Sequence, residues 1–295
     1  MFRDGLGEGS RFSSCHPAVN LIFYAFAIGI TMFSIDPVFL AVAMIFAWAY
    51  SILLKGVKVI KTNLLLMLPI VIIMTLVNGF FTHNGATVLF FLNDSRITLE
   101  ALAYGMAAAL LLTNVVVWFA SFNVVMSSDK LIYLFGKAAP VLGLTLSMIF
   151  RFIPLLKSRF REIKMGQQCM GRHTEGGAFA KTRQLCKEVS ILISWSLEAS
   201  IETSDSMEAR GYGLPGRTSF HLFKLSRTDK LLLGAILITG GVTTLGCALG
   251  KTSIYFYPTI MQPVWDPMMV LTLLSFCALA ALPLILDLMG ERKWQ

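Results

Sequence analysis

Runs of apolar residues bounded by charged or turn residues recur along the chain. A helix needs about 20 such residues to cross a hydrocarbon core about 30 Å thick. Six runs meet that length: residues 17–34, 36–54, 64–82, 97–122, 231–249 and 267–289. The pattern predicts six membrane-spanning helices. The first run follows a polar stretch, but it is long and lacks a small-residue cleavage site. It also turns at Ile35-Asp36-Pro37 straight into the second run, so it reads as a span and not as a secretion signal.

The stretch 123–230 between the fourth and fifth runs is too long for a loop and has a helical pattern of its own. Ser128 and Asp129 can cap a short helix whose Leu131, Ile132, Leu134 and Phe135 form one apolar face ending at Gly136. Such a helix suits the membrane surface. Residues 138–150 are apolar but too few to span before Arg151, so they read as the buried start of a long helix reaching toward Arg172, kinked at Pro154. Gly176-Gly177 breaks the chain. A second long helix then runs from Ala178 to Arg210 and is stopped by Gly211, Gly213 and Pro215, a length of about 50 Å. Lys157, Arg159, Arg161 and Lys164 on the first helix face an acidic end of the second, Glu198, Glu202, Asp205 and Glu208. Opposite charge should help them pair, with packing of Ile191, Leu192, Trp195 and Ala199 contributing more.

Composition names the solvent. Hydrophobic residues make up 56% of the 295 and charged residues 14%, against about 25% charged in soluble proteins. This excludes a disordered chain, a disulfide scaffold and a cytosolic enzyme. Five cysteines without a CxxC pair read as reduced thiols. The net charge of +8 would also suit a nucleic-acid binder, but its distribution decides otherwise. Lys and Arg number 23 on one side of the six runs and 2, Arg96 and Lys251, on the other. By the positive-inside rule both termini and the inserted segment are cytoplasmic. The predicted fold is therefore an all-α polytopic membrane protein. Residues 1–122 hold the first four spans, 123–230 an inserted cytoplasmic domain of long helices, and 231–295 the last two spans.

Two arginines stand out, each near the end of a long helix and beside glycine: Gly171-Arg172-His173 and Ala209-Arg210-Gly211. The helix dipole favours a cation there in any case. Two copies with small flanks also suit insertion of a planar five-donor fork into a partner's acidic groove. Other signals are weaker. Gly246 to Thr252 imitates a phosphate loop with one residue too few and no preceding strand. Cys169 and His173, four apart, make two ligands where zinc needs three or four. His16, His83 and His221 have no carboxylate neighbour in sequence, and Asp36, Asp94, Glu100, Asp266 and Asp287 fall at span ends, which disfavours a proton-coupled carrier. Small residues at Ala101, Gly105 and Ala109, and at Gly246 and Gly250, suit close helix approach, either within this chain or against a partner. No catalytic group, metal site or cofactor is expected.

Three stretches carry a resemblance: Arg151-Phe152-Ile153-Pro154-Leu155-Leu156, then Gly171-Arg172, then Ser206-Met207-Glu208-Ala209-Arg210-Gly211-Tyr212-Gly213, with His16-Pro17 before the first run. Together they resemble the transmembrane T component of energy-coupling factor (ECF) transporters; the first arginine word departs from the family's usual Ala-Arg-Gly by reading Gly-Arg-His. The resemblance implies a non-catalytic scaffold in a bacterial-type cytoplasmic membrane. It implies two ABC-type ATPase partners, which hydrolyse the ATP, and a small membrane-embedded substrate-binding S subunit that reorients to import a vitamin or trace metal ion. ATPase coupling would fall to Arg172 and Arg210 with Gly171, His173, Ala209 and Gly211, supported by Arg151, Pro154, Glu208, Tyr212 and Gly213. A conventional ABC permease forming its own substrate path is the alternative, but Glu198-Ala199-Ser200 lacks the third alanine and spaced glycine of its coupling signature. An intramembrane enzyme would need carboxylates, His or Cys clustered inside the spans.

Overall fold

The computed structural model describes residues 10–82, 84–92, 95–171, 177–215, 223, 225–250, 252–259 and 266–291. Among them the elements run α1 (Arg11–Ser14), α2 (Pro17–Phe33), α3 (Pro37–Lys55), α4 (Lys58–Phe81), β1 (Val88–Leu92), β2 (Ser95–Thr98), α5 (Leu99–Val125), α6 (Ser128–Ala138), α7 (Pro140–Cys169), α8 (Ala178–Ala209), α9 (Arg227–Ala248) and α10 (Pro267–Glu291). The protein is an all-α polytopic membrane protein, with one two-stranded hairpin that the apolar pattern did not announce.

Six helices are long and apolar enough to cross a bilayer, as expected, but their membership differs from the expectation. They are α3, α4, α5, α7, α9 and α10. At 17 residues α2 is shorter, about 25 Å. As expected, the apolar stretch before Arg151 begins a long helix, and α7 continues through Arg151 and Pro154 to Cys169. A segment judged too short to span is thus the first part of a 30-residue helix. Helix α4 likewise begins at Lys58, six residues before the expected start at Leu64, with Lys58 and Lys61 in its opening turns.

The chain divides into two compact units, residues 1–127 with 223–295, and residues 128–222. In the first, side chains start the helices: Asp36 accepts from the Val38 N–H at 2.8 Å with Pro37 in the first turn, Thr98 caps α5, and Ser226 and Asp229 form a reciprocal capping box on α9. The core is aromatic. Phe12, Phe23, Tyr24, Tyr50 and Trp118 are fully buried and meet edge to face, with Phe12 and Phe23 ring centroids 5.2 Å apart. Short α1 is held in place by distant carboxylates. Asp287 of α10 accepts the Phe12 N–H at 2.8 Å, and Asp229 accepts the His16 N–H at 3.4 Å. A carboxylate 213 residues away thus serves the His16 backbone, a partnership sequence proximity could not reveal.

Glycine sets the closest helix approaches. A Cβ at Gly105 would lie 2.9 Å from Thr75 Cα of α4, and one at Gly246 would lie 1.9 Å from Thr272 Cγ2 of α10. Ala101 and Ala109 are fully buried. The small residues at these four positions therefore serve packing within this chain. The same observation disposes of the imitation phosphate loop, whose Gly246 sits inside α9 against α10. Of the ionisable groups assigned to span ends, Asp36 caps α3, Glu100 lies in the first turn of α5 and Asp287 near the end of α10. Asp266 precedes α10, and Asp94 lies outside the described residues.

In the second unit, α6 and α7 meet glycine to glycine: a Cβ on Gly143 would lie 2.3 Å from Gly136 Cα. Half-buried or buried positions on α7 (Phe152, Leu156, Phe160, Ile163, Gln167) and α8 (Glu188, Leu192, Trp195, Ala199, Thr203, Met207) recur at helical spacing. Ile191, expected in this stripe, is exposed instead. The anticipated pairing of charges between the helices is replaced by other contacts. Arg159 Cζ lies 5.0 Å from the centroid of the Trp195 ring, and Arg159 pairs within its own helix with Glu162 at 2.6 Å. Glu198, Glu202, Asp205 and Glu208 are all exposed. A weakly hydrated guanidinium keeps its ring contact at an exposed site, where ion pairs gain little over hydration.

Candidate functional site

The end of α8 is built by two backbone bonds and one left-handed residue. Gly211 adopts φ 81°. Its N–H donates to the Glu208 carbonyl at 2.9 Å, and the Tyr212 N–H reaches back to the Met207 carbonyl at 3.0 Å. These are the paired bonds of a Schellman motif, which satisfies carbonyls that a helix end otherwise leaves open. Gly213 is also left-handed, at φ 93°. Around both glycines there is space for a methyl group apart from the flexible Leu214 side chain, so conformation and not crowding requires glycine here.

Arg210 is the last residue before this turn, at the C-cap with φ −85° and ψ 6°. Its N–H bonds back to the Ser206 and Met207 carbonyls, each at 3.2 Å, while the residue is exposed. The turn thus places an exposed arginine at the negative end of a 32-residue helix. Glu208 and Ala209 are exposed beside it, as are Tyr212 and Leu214 after the turn. Leu214, 68% exposed, was not among the expected site residues. Its signal was an apolar side chain between Gly213 and Pro215 with no helix to bury it.

The end of α7 also turns on a left-handed glycine. Gly171 is left-handed at φ 73°, and its N–H donates to the Gln168 carbonyl at 3.0 Å. Met170 holds the C-cap position that Arg210 holds on α8. The two arginines were expected at similar positions, yet relative to the turn glycine they stand on opposite sides: Arg210 precedes Gly211, whereas Arg172 follows Gly171. Arg172 and His173 lie outside the described residues. Glu208 through Gly213 form one turn. Arg151 and Pro154 are exposed on α7, with Pro154 about 25 Å along the helix from Gly171.

Apolar spans, with a separate unit of long helices ending in exposed glycine turns, define a multi-pass cell-membrane protein with a distinct helical module. The model of the CbiQ family, cobalt transport protein, matches residues 10–222, more than two thirds of the chain. The chain belongs to this family, that of the transmembrane T components of ECF transporters. Three relatives carry the name energy-coupling factor transporter transmembrane protein EcfT. That of Streptococcus equi subsp. equi (strain 4047) is 28% identical over 188 residues, covering 59% of this chain and 69% of the relative. That of Streptococcus thermophilus (strain ATCC BAA-250 / LMG 18311) is 29% identical over 186 residues, covering 59% and 70%. That of Lactobacillus helveticus (strain DPC 4571) is 29% identical over 103 residues, covering 34% of this chain and only 37% of the relative.

Proposed function

We propose that this chain is the membrane scaffold of an ATP-driven ECF-type importer. It joins two ABC-type ATPase subunits to a small membrane-embedded S subunit, which reorients to take up a vitamin or a trace metal ion. The observation that carries the proposal is Arg210, exposed at the Schellman-closed end of a 32-residue helix in the second unit. Family membership and the EcfT names of the relatives support it.

Residues 123–230 then form the coupling domain, cytoplasmic apart from the apolar first part of α7, which is long and apolar enough to enter the bilayer, between membrane parts 1–122 and 231–295 whose termini also face the cytoplasm. Arg210, together with Arg172, inserts into an acidic groove of each ATPase. There the guanidinium offers five donors in a fixed fork, and Ala209, Gly171 and Gly211 let the partner backbone approach. His173, Glu208, Tyr212 and Gly213 shape the turns, and Arg151 and Pro154 support α7. ATP hydrolysis belongs to the partners. When they close, α8, about 48 Å long, carries the movement to the S subunit as a rigid lever, because its end is locked by backbone bonds.

The test is co-purification. Arg210→Glu should lose the ATPases and substrate uptake while the chain remains folded in the membrane, whereas Arg210→Lys should keep part of both. ATPase retention and uptake at the unmutated level in Arg210→Glu would overturn the proposal.

A further inference from the structure

The hairpin between α4 and α5 is fixed at its root and apolar on its outside. The Glu100 carboxylate accepts the Thr87 N–H at 3.1 Å and the Thr87 hydroxyl, the Leu99 N–H donates to the Thr87 carbonyl at 3.1 Å, and the Ala86 N–H donates to the Pro258 carbonyl at 3.0 Å. These bonds tie the root of the hairpin to the first turn of α5 and to the backbone at Pro258. Its two faces differ. Ile97, opposite Phe90 in the ladder, is buried against the protein, close to Gly79 of α4. Phe91 and Arg96 face each other across the strands one residue further on, and therefore lie on the opposite face. Phe91 is 69% exposed and Arg96 is exposed. Leu89 sits at the bulge and is 51% exposed.

We infer that this outer face is an interfacial membrane anchor: Phe91 and Leu89 enter the boundary between headgroups and acyl chains, and Arg96 reaches the phosphate of an anionic lipid. The surface is continuous with a lipid-facing one. Helix α4 exposes apolar side chains along most of its length and ends on Phe81, which is 81% exposed, seven residues before β1 begins. An aromatic ring paired across the ladder with a cation on a long apolar stem is the combination that fits a membrane interface, where the stem lies among apolar atoms and the charge stays in the headgroup layer. The inference rests on the membrane-spanning character of α4 and α5 and is independent of the ATPase coupling.

Benzoylphenylalanine placed at Phe91, and separately at Leu89, of the full chain in the membranes of producing cells tests the anchor by photo-crosslinking and mass spectrometry. Phospholipid adducts at both positions are expected. Adducts to a protein, or no adduct at either position, would overturn the inference. In vesicles of phosphatidylethanolamine and phosphatidylglycerol, Arg96→Gln should lower the phosphatidylglycerol share of the Phe91 adducts about fivefold. An unchanged share would remove Arg96 from the anchor.

Discussion

The two units spend their apolar residues differently. In the first, Phe12, Tyr24, Tyr50 and Trp118 are buried, Gly105 meets the backbone of α4, and Gly246 meets the Thr272 side chain of α10. In the second, α8 leaves Phe179, Ile193, Leu197 and Ile201 exposed among charged neighbours, and its buried stripe is narrow. Helix α4 in the first unit is also largely exposed, but its exposed residues between Leu64 and Phe81 are overwhelmingly apolar, a surface that suits lipid. The mixed surface of α8 suits a helix with water on one side and, under the proposed function, a partner on another. Close packing fixes one unit internally, and the other leaves apolar side chains of α8 exposed, as the proposed coupling role requires.

The largest expected effect breaks that contrast at its outward end. Arg210→Glu should weaken ATPase binding by at least about thirtyfold, as loss of a buried interfacial arginine costs about 2 kcal/mol or more, with thermal unfolding in detergent unchanged. Gly246→Val tests the opposite unit. Added bulk against Thr272 should destabilise the fold by about 1–3 kcal/mol, read as a lower unfolding temperature, while isolated ATPase binding by the surviving folded fraction persists. If Gly246→Val left stability untouched, the tight α9–α10 approach would be wrong.

Smaller changes sharpen the comparison. Gly211→Ala forces a side chain into the left-handed turn, at about 1 kcal/mol. It should reduce ATPase affinity severalfold without removing the guanidinium, and equal affinity would show that rigidity at the turn is unimportant. Arg159→Leu should cost the second unit about 0.5–1 kcal/mol through loss of the Trp195 contact, measurable by hydrogen exchange on α7 and α8. A matching loss in the Trp195→Leu, Arg159→Leu double variant relative to each single one would identify the ring contact as its source.

Much of this fold was legible because lipid imposes a simple length rule. Spans α3, α5, α9 and α10 start and end within a few residues of the apolar runs, with Asp36 and Pro37 marking one start unmistakably. Errors arose where composition changed inside a helix. Arg151 closed an apolar stretch that read as too short to span; the long helix expected to pass through it is there as α7, and it is long and apolar enough to cross a bilayer, since a charged residue ends an apolar run without ending the helix. The same cause hid the start of α4 at Lys58. The Arg210 turn was legible down to its glycines, because positive φ leaves a residue-level trace. The offset of the two arginines about their glycines also stands in the chain order, Gly171-Arg172 against Arg210-Gly211, and the structure adds that each of these glycines is left-handed.

The solvent, the helical character, the approximate spans and the two glycine-closed helix ends could be read from the residues, because hydropathy, helix length and left-handed turns are local properties. Only the tertiary structure decided which small residues face a neighbouring helix, that Arg159 meets Trp195 instead of an acid, and that Asp287 and Asp229 hold the N-terminal segment. These depend on contacts between residues far apart in the chain, and close packing selects them by shape in ways that no periodicity records.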